Sequence, residues 1–122
     1  MAYRLTQAAE NQIDVILLAS ARMHGIDAVG RYRALPRTAM MAVGDDPLLS
    51  GSSEVRRLPG IRAYPARLTR HRITLALRVQ TPRHLVVYRV ASDGVVEILG
   101  VIHDRMVLSR AARTAVRKAD EP

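Results

Sequence analysis

Arg83–Ala91 (RHLVVYRVA), Ser92-Asp93-Gly94 and Val95–His103 (VVEILGVIH) are two β-branched, apolar runs set around an Asp-Gly pair. Chemistry of this kind favours a pleated, half-buried surface, and Asp-Gly between two such runs is a strong short-range signal for a β-hairpin. If Asp93-Gly94 is a two-residue turn, Ser92 faces Val95, Tyr88 faces Leu99 and His84 faces His103. Period-two alternation then sets His84, Val86, Tyr88 and Val90 on one face with Leu99, Val101 and His103. A three-residue turn shifts this register by one.

Reading outward, residues 104–122 have a weaker pattern. Leu108 to Lys118 can form a short helix, and the last residues, Asp120-Glu121-Pro122, read as frayed. On the N-terminal side, Ile61 to Tyr64 reads as a strand, and Leu49 to Gly60 is a Ser-, Gly- and Pro-containing loop. Residues 65–81 form an arm in which Ile73, Leu75, Leu77 and Val79 alternate with polar or small residues, although the same residues suit one or two helical turns.

The first half is helical. Tyr3 to Leu5 suits a short edge strand, Thr6 an N-cap, and Ala9, Ile13, Ile16, Leu17 and Ser20 recur on one face of a helix that Gly25 ends. Asp27 is placed to cap a second helix with a stripe of Ala28, Tyr32, Leu35, Ala39 and Val43. Pro36 falls inside that stripe, where a missing N–H and a clash one turn back predict a kink or break. The four residues between the helices permit only a tight connection, so the pair should form an antiparallel hairpin. The expected fold is α+β: an N-terminal strand and an antiparallel two-helix hairpin packed on a small, mostly antiparallel β-sheet. The expected organisation is one domain over 1–122, with 107–122 an extension that can be partly disordered. The second sheet face needs a cover, either the tail or a partner.

Composition narrows the function classes. The chain has 122 residues, no cysteine, and a formal net charge of +8. No disulfide framework or thiolate metal site can form, no apolar run reaches membrane-spanning length, and nothing at the N-terminus reads as an export signal. The cytoplasm is the expected compartment. Residues 1–50 carry five basic and five acidic side chains, whereas residues 54–89 carry nine Arg (56, 57, 62, 67, 70, 72, 78, 83, 89) against Glu54. A positive field built by one part of a fold attracts nucleic acid or an acidic protein segment. With four Tyr and no Phe or Trp, a base-stacking platform for single strands is disfavoured. His24, His71, His84 and His103 show no metal-binding spacing, so neither metal nor cofactor is expected. There is no Gly-rich phosphate loop, and Ser50, Ser52 and Ser53 lie outside any nucleophile elbow.

Several segments, in order over residues 3–106, carry a resemblance. They are Leu5-Thr6-Gln7-Ala8-Ala9 with Asp14 and Ile16; Gly25-Ile26-Asp27-Ala28 and Tyr32; Pro47, Gly51 and Leu58-Pro59-Gly60-Ile61-Arg62; and above all Arg83–Val90, Asp93–Leu99 and Val101–Arg105. Together the chain resembles the ParE branch of the RelE/ParE toxin superfamily. The resemblance implies the toxin of a type II toxin–antitoxin system, a plasmid-stabilisation or growth-arrest function, and a cognate antitoxin. An acidic C-terminal antitoxin segment, attached to a DNA-binding domain, would wrap the toxin. ParE-like members poison DNA gyrase, and RelE-like members cut mRNA on the ribosome. Pro36 and the long 65–81 arm depart from the commoner pattern.

Cutting RNA needs a base, a cation for the developing phosphorane and an acid for the leaving oxygen. The resemblance places a His with a Tyr four positions on at His84 and Tyr88. The Arg that follows that His in ribonuclease relatives falls on Leu85, and the Tyr that can follow the C-terminal His103 falls on Asp104. Leu cannot stabilise a phosphorane and Asp repels phosphate, so gyrase inhibition by binding is favoured. The alternatives are an endoribonuclease using His84, His103, Arg62 and Arg83 converging on one sheet face, and a degenerate toxin that only binds its antitoxin. His84 and His103 can equally be inert half-buried histidines, Tyr88 a core residue, and Glu54 a loop carboxylate paired with a nearby Arg. The candidate antitoxin- or target-binding residues are Arg56, Arg57, Arg62, Arg67, Arg83, Tyr88, Arg89, His103 and Arg105, with the basic arm and His103 to Arg110 as the effector surface. No membrane partner is expected.

Overall fold

The structure, a computed structural model, describes residues 3–73 and 83–121. The elements run β1 (Tyr3–Leu5), α1 (Gln7–His24), α2 (Asp27–Asp45), β2 (Ser53–Glu54), β3 (Arg62–Pro65), a short 3-10 helix (Ala66–Arg72), β4 (His84–Val90), β5 (Val96–His103) and α3 (Leu108–Asp120). The sheet order is β1-β5-β4-β3-β2, with β1 parallel to β5 and the other pairs antiparallel. This is the α+β arrangement that the sequence predicts. The alternation expected at 73–79 falls, beyond Ile73, outside the described residues.

Local chemistry accounts for the helix ends. The Thr6 hydroxyl accepts the Ala9 N–H at 3.1 Å, Glu10 lies in the first turn of α1 and Arg22 in the last, each with the sign the helix dipole favours. Gly25 then turns the chain at φ +83°, in a region L-residues rarely adopt. Across the hairpin the His24 and Tyr32 rings stack, with centroids 5.9 Å apart. One expectation for α2 fails, and of the kink or break expected at Pro36 the break does not occur. Asp27 does not cap it: Ile26 occupies that position without a side-chain bond, and Asp27 is the first helical residue, where its charge still suits the dipole. Nor does Pro36 break it. The helix runs on to Asp45 because Leu35, Pro36, Ala39, Met40 and Val43 are all buried, and that packing offsets one missing hydrogen bond.

The hairpin turn has three residues. The Gly94 N–H donates to the Ala91 carbonyl and the Ala91 N–H to the Val95 carbonyl, both at 2.9 Å, with Gly94 at φ +84°. Near the turn, therefore, Tyr88 faces Ile98, not Leu99 as the two-residue turn predicts. Leu99 has no partner in the ladder, and beyond this bulge Val87 pairs with Gly100 and His84 with His103. One extra residue in the turn and one in the strand cancel, so the far end keeps its predicted register. Leu99 is consequently turned to the opposite face, beside Val87 and Ile102.

Each sheet face has its own core. Helices α1 and α2 cover Tyr64, Val86, Tyr88, Val96 and Ile98; α3 covers Val87, Leu99 and Ile102 with Ala112 and Ala115. The tail thus supplies the second cover, and the stretch from 108 to 120 is helical. Past the end of β1, the Val101 N–H is taken by the Gln12 side-chain oxygen at 2.9 Å. A Cβ on Gly100 would lie 2.8 Å from that oxygen, so glycine leaves room for the Gln12 side chain to make this bond.

Candidate functional site

His84 opens β4 and His103 closes β5, and their register brings the rings edge to face with centroids 5.3 Å apart. His103 Nδ1 accepts the Arg105 N–H at 3.1 Å, and Asp104 Oδ1 lies 3.3 Å from the same nitrogen. Arg83 reaches Asp104 at 3.3 Å, and the Asp104 N–H donates to the Arg83 carbonyl at 2.7 Å. The histidines border a cleft of about 620 Å³ between α1, β5 and α3, lined in part by Gln12, Val15, Ile16 and Val101. Arg67 and Arg83 share a smaller hollow with His84 and Asp104.

Burial, and secondly the neighbouring His103, push His84 below its ordinary value of 6.5, with Asp104 pulling the other way. Its folded pKa is therefore lower than its unfolded one. The corresponding stability is complete above pH 6.5 and is lost as pH falls through that value toward the folded pKa. His103→Asn removes the like-charged neighbour and will raise the His84 pKa, read from its imidazole proton shifts across about pH 4.5–8.5 (about two units either side of an ordinary His). An unchanged or lower His84 pKa would refute the pairing.

The remaining predicted residues do not gather there. Arg62 pairs with Tyr88, four positions along β4 from His84 and so roughly 13 Å away at about 3.3 Å per residue. Its Nε donates to the Ser52 hydroxyl at 2.9 Å and its Nη2 to the Ser52 carbonyl at 3.1 Å. Tyr88 is fully buried, its hydroxyl donating to the Pro47 carbonyl at 2.6 Å and also bonded to Ser52, so it cannot offer a binding surface. Arg89 is held by Glu97 and Asp120, both at 2.8 Å, and ties α3 to the sheet. Arg56 and Arg57 are exposed in the turn between β2 and β3, with Arg57 at φ +64°. Glu54 accepts the Gly60 N–H at 3.3 Å and meets no Arg among the described residues.

The four proposed ribonuclease groups therefore split. His84 and His103 touch, Arg83 is committed to Asp104, and Arg62 belongs to the Ser52–Tyr88 cluster. Sequence reasoning missed Gln12 and the partnering role of Asp104, because both depend on long-range pairing that no local pattern encodes. Among the described residues, no group of three or more His, Cys, Asp or Glu could hold a metal ion, and no helix is long and apolar enough to cross a membrane. No family model and no curated protein matches the chain.

Proposed function

We propose that this chain is the toxin of a type II toxin–antitoxin pair of the RelE/ParE kind. It acts in the cytoplasm by binding DNA gyrase, not by cutting RNA, and a cognate antitoxin neutralises it. The observation that carries this reading is the dispersal of the catalytic set. A carboxylate, Asp104, lies beside His103 and pairs with Arg83, and Arg62 is committed elsewhere. A site whose nearest Arg is already paired with a carboxylate is poorly arranged for a phosphorane.

Exposed apolar residues support the antitoxin part. Val15 and Leu18 on α1 are 67% and 54% exposed, and Met23 and Ile26 at the hairpin tip 76% and 82%. Large apolar side chains left in water on one helix pair suit an amphipathic partner segment. The contact between His84 and His103, with Arg67 and Arg83 nearby, is what favours the endoribonuclease as a second reading.

Expression of the chain alone from a tightly controlled promoter in a bacterial host tests these. Growth arrest with filamentation, an SOS response and intact mRNA is expected. Rapid mRNA cleavage that disappears in His103→Ala would replace this reading with the ribonuclease. Normal growth with folded protein accumulating would leave a binder without toxicity.

A further inference from the structure

Helix α3 was required only as a cover for the sheet, yet its outer side has a separate character. Its buried side is made of Ala112 and Ala115, with Leu108, Ala111, Val116 and Ala119 partly buried around them. At about 100° per residue, Arg110, Arg113 and Arg117 fall within roughly 60° of one another on the opposite side. Thr114 and Lys118 flank them, and all four cations are exposed. Among the described residues, none of these four side chains has an ion-pair or hydrogen-bond partner. Arg62, Arg83 and Arg89, by contrast, are all engaged. The stripe is also held in place, since Asp120 at the end of α3 is bonded to Arg89 on β4 at 2.8 Å.

We infer that this outward face of α3 binds the phosphate backbone of duplex DNA. The helix rises about 1.5 Å per residue, so Arg110 to Arg117 spans about 10.5 Å. One strand of B-DNA presents a phosphate every 3.4 Å or so along its axis, so the stripe covers the rise of about three phosphate steps. The composition of the face selects this occupant. A protein partner needs an apolar or aromatic anchor at the centre of its contact, whereas the middle of the stripe holds only Arg, Lys and Thr, and the exposed apolar Met106 and Val107 lie beyond its N-terminal end. Single strands need aromatic platforms, and α3 has none. Backbone phosphates ask only for cations at suitable spacing, with Arg able to grip two oxygens at once. The contact is sequence-independent, and it does not depend on whether the chain arrests growth.

The test is fluorescence anisotropy of the full chain with a labelled mixed-sequence DNA duplex of about two helical turns, titrated between 50 and 200 mM salt, the range over which phosphate contacts lose affinity steeply. The triple variant Arg110→Gln/Arg113→Gln/Arg117→Gln removes about three phosphate contacts. It is expected to bind at least tenfold more weakly at the lowest salt. The slope of log affinity against log salt should also become shallower by about 2.7, at about 0.9 per contact. Arg22→Gln/Arg33→Gln/Arg37→Gln on the helix hairpin removes the same net charge and should keep most of the affinity and slope. Circular dichroism and a thermal melt establish that each variant is folded. The inference is overturned if the wild type fails to bind duplex, if both triple variants lose affinity equally, or if an acidic peptide or anionic vesicle is bound while duplex DNA is not.

Discussion

Leu99→Ala will destabilise the protein by roughly 3–5 kcal/mol, the upper part of the range for truncating a fully buried leucine. Leu99 is completely buried. It is also the extra residue of the β5 bulge, so its side chain enters the core beneath α3 while its neighbour Ile98 enters the core beneath the hairpin. The surrounding side chains on the α3 side are mostly Ala and Val, too short to collapse into the space left behind. Urea denaturation gives the magnitude, and hydrogen exchange gives the direction. Core amides of every element will share the loss through global unfolding, and α3 should show an additional loss through easier local opening. The absence of such an excess in α3 over α1 and α2 would contradict the placement of Leu99 beneath α3.

Tyr88→Phe will cost about 1–3 kcal/mol, the usual consequence of leaving buried polar groups without a partner. The Tyr88 hydroxyl donates to the Pro47 carbonyl at 2.6 Å and also meets the Ser52 hydroxyl, which in turn accepts the Arg62 Nε–H at 2.9 Å. These bonds fasten the loop after α2 to the middle of the sheet. Phe fills the same space and removes the anchor, so the loss should appear in chemical denaturation together with faster hydrogen exchange over residues 47–54. No change in either would mean that the loop is held by its apolar contacts alone. Arg62→Gln, which keeps a donor near Ser52, should lose less.

Much of this fold is legible locally. Thr6 and Gly25 bracket α1 because capping and left-handed turns use short-range chemistry. The two β runs around Asp93-Gly94 announce their hairpin for the same reason. What failed was whatever depends on the rest of the molecule. Pro36 predicts a kink or a break from its own chemistry, and the buried face of α2 holds the helix together so that it does not break. Leu99 reads as an inward residue by alternation, but a three-residue turn and a bulge, each invisible to period-two counting, send it to the other side. The candidate site divides along the same line. The pairing of His84 with His103 follows from counting out from the turn, and it survives because two single-residue shifts cancel. The separation of Arg62 from those histidines is a matter of strand register, and the neutralisation of Arg83 by Asp104 brings together residues 21 positions apart. The Arg stripe of α3 could have been read from its spacing; it was obscured by the larger Arg count at 54–89.

Inhibition of gyrase by the purified chain is the most direct test of the proposed activity. Relaxed plasmid, gyrase and ATP are mixed with increasing amounts of the protein, and the topoisomers are resolved on a gel. Loss of supercoiling as the protein approaches and exceeds the enzyme concentration is the expected result. Full supercoiling in the presence of a large excess of folded protein would contradict it.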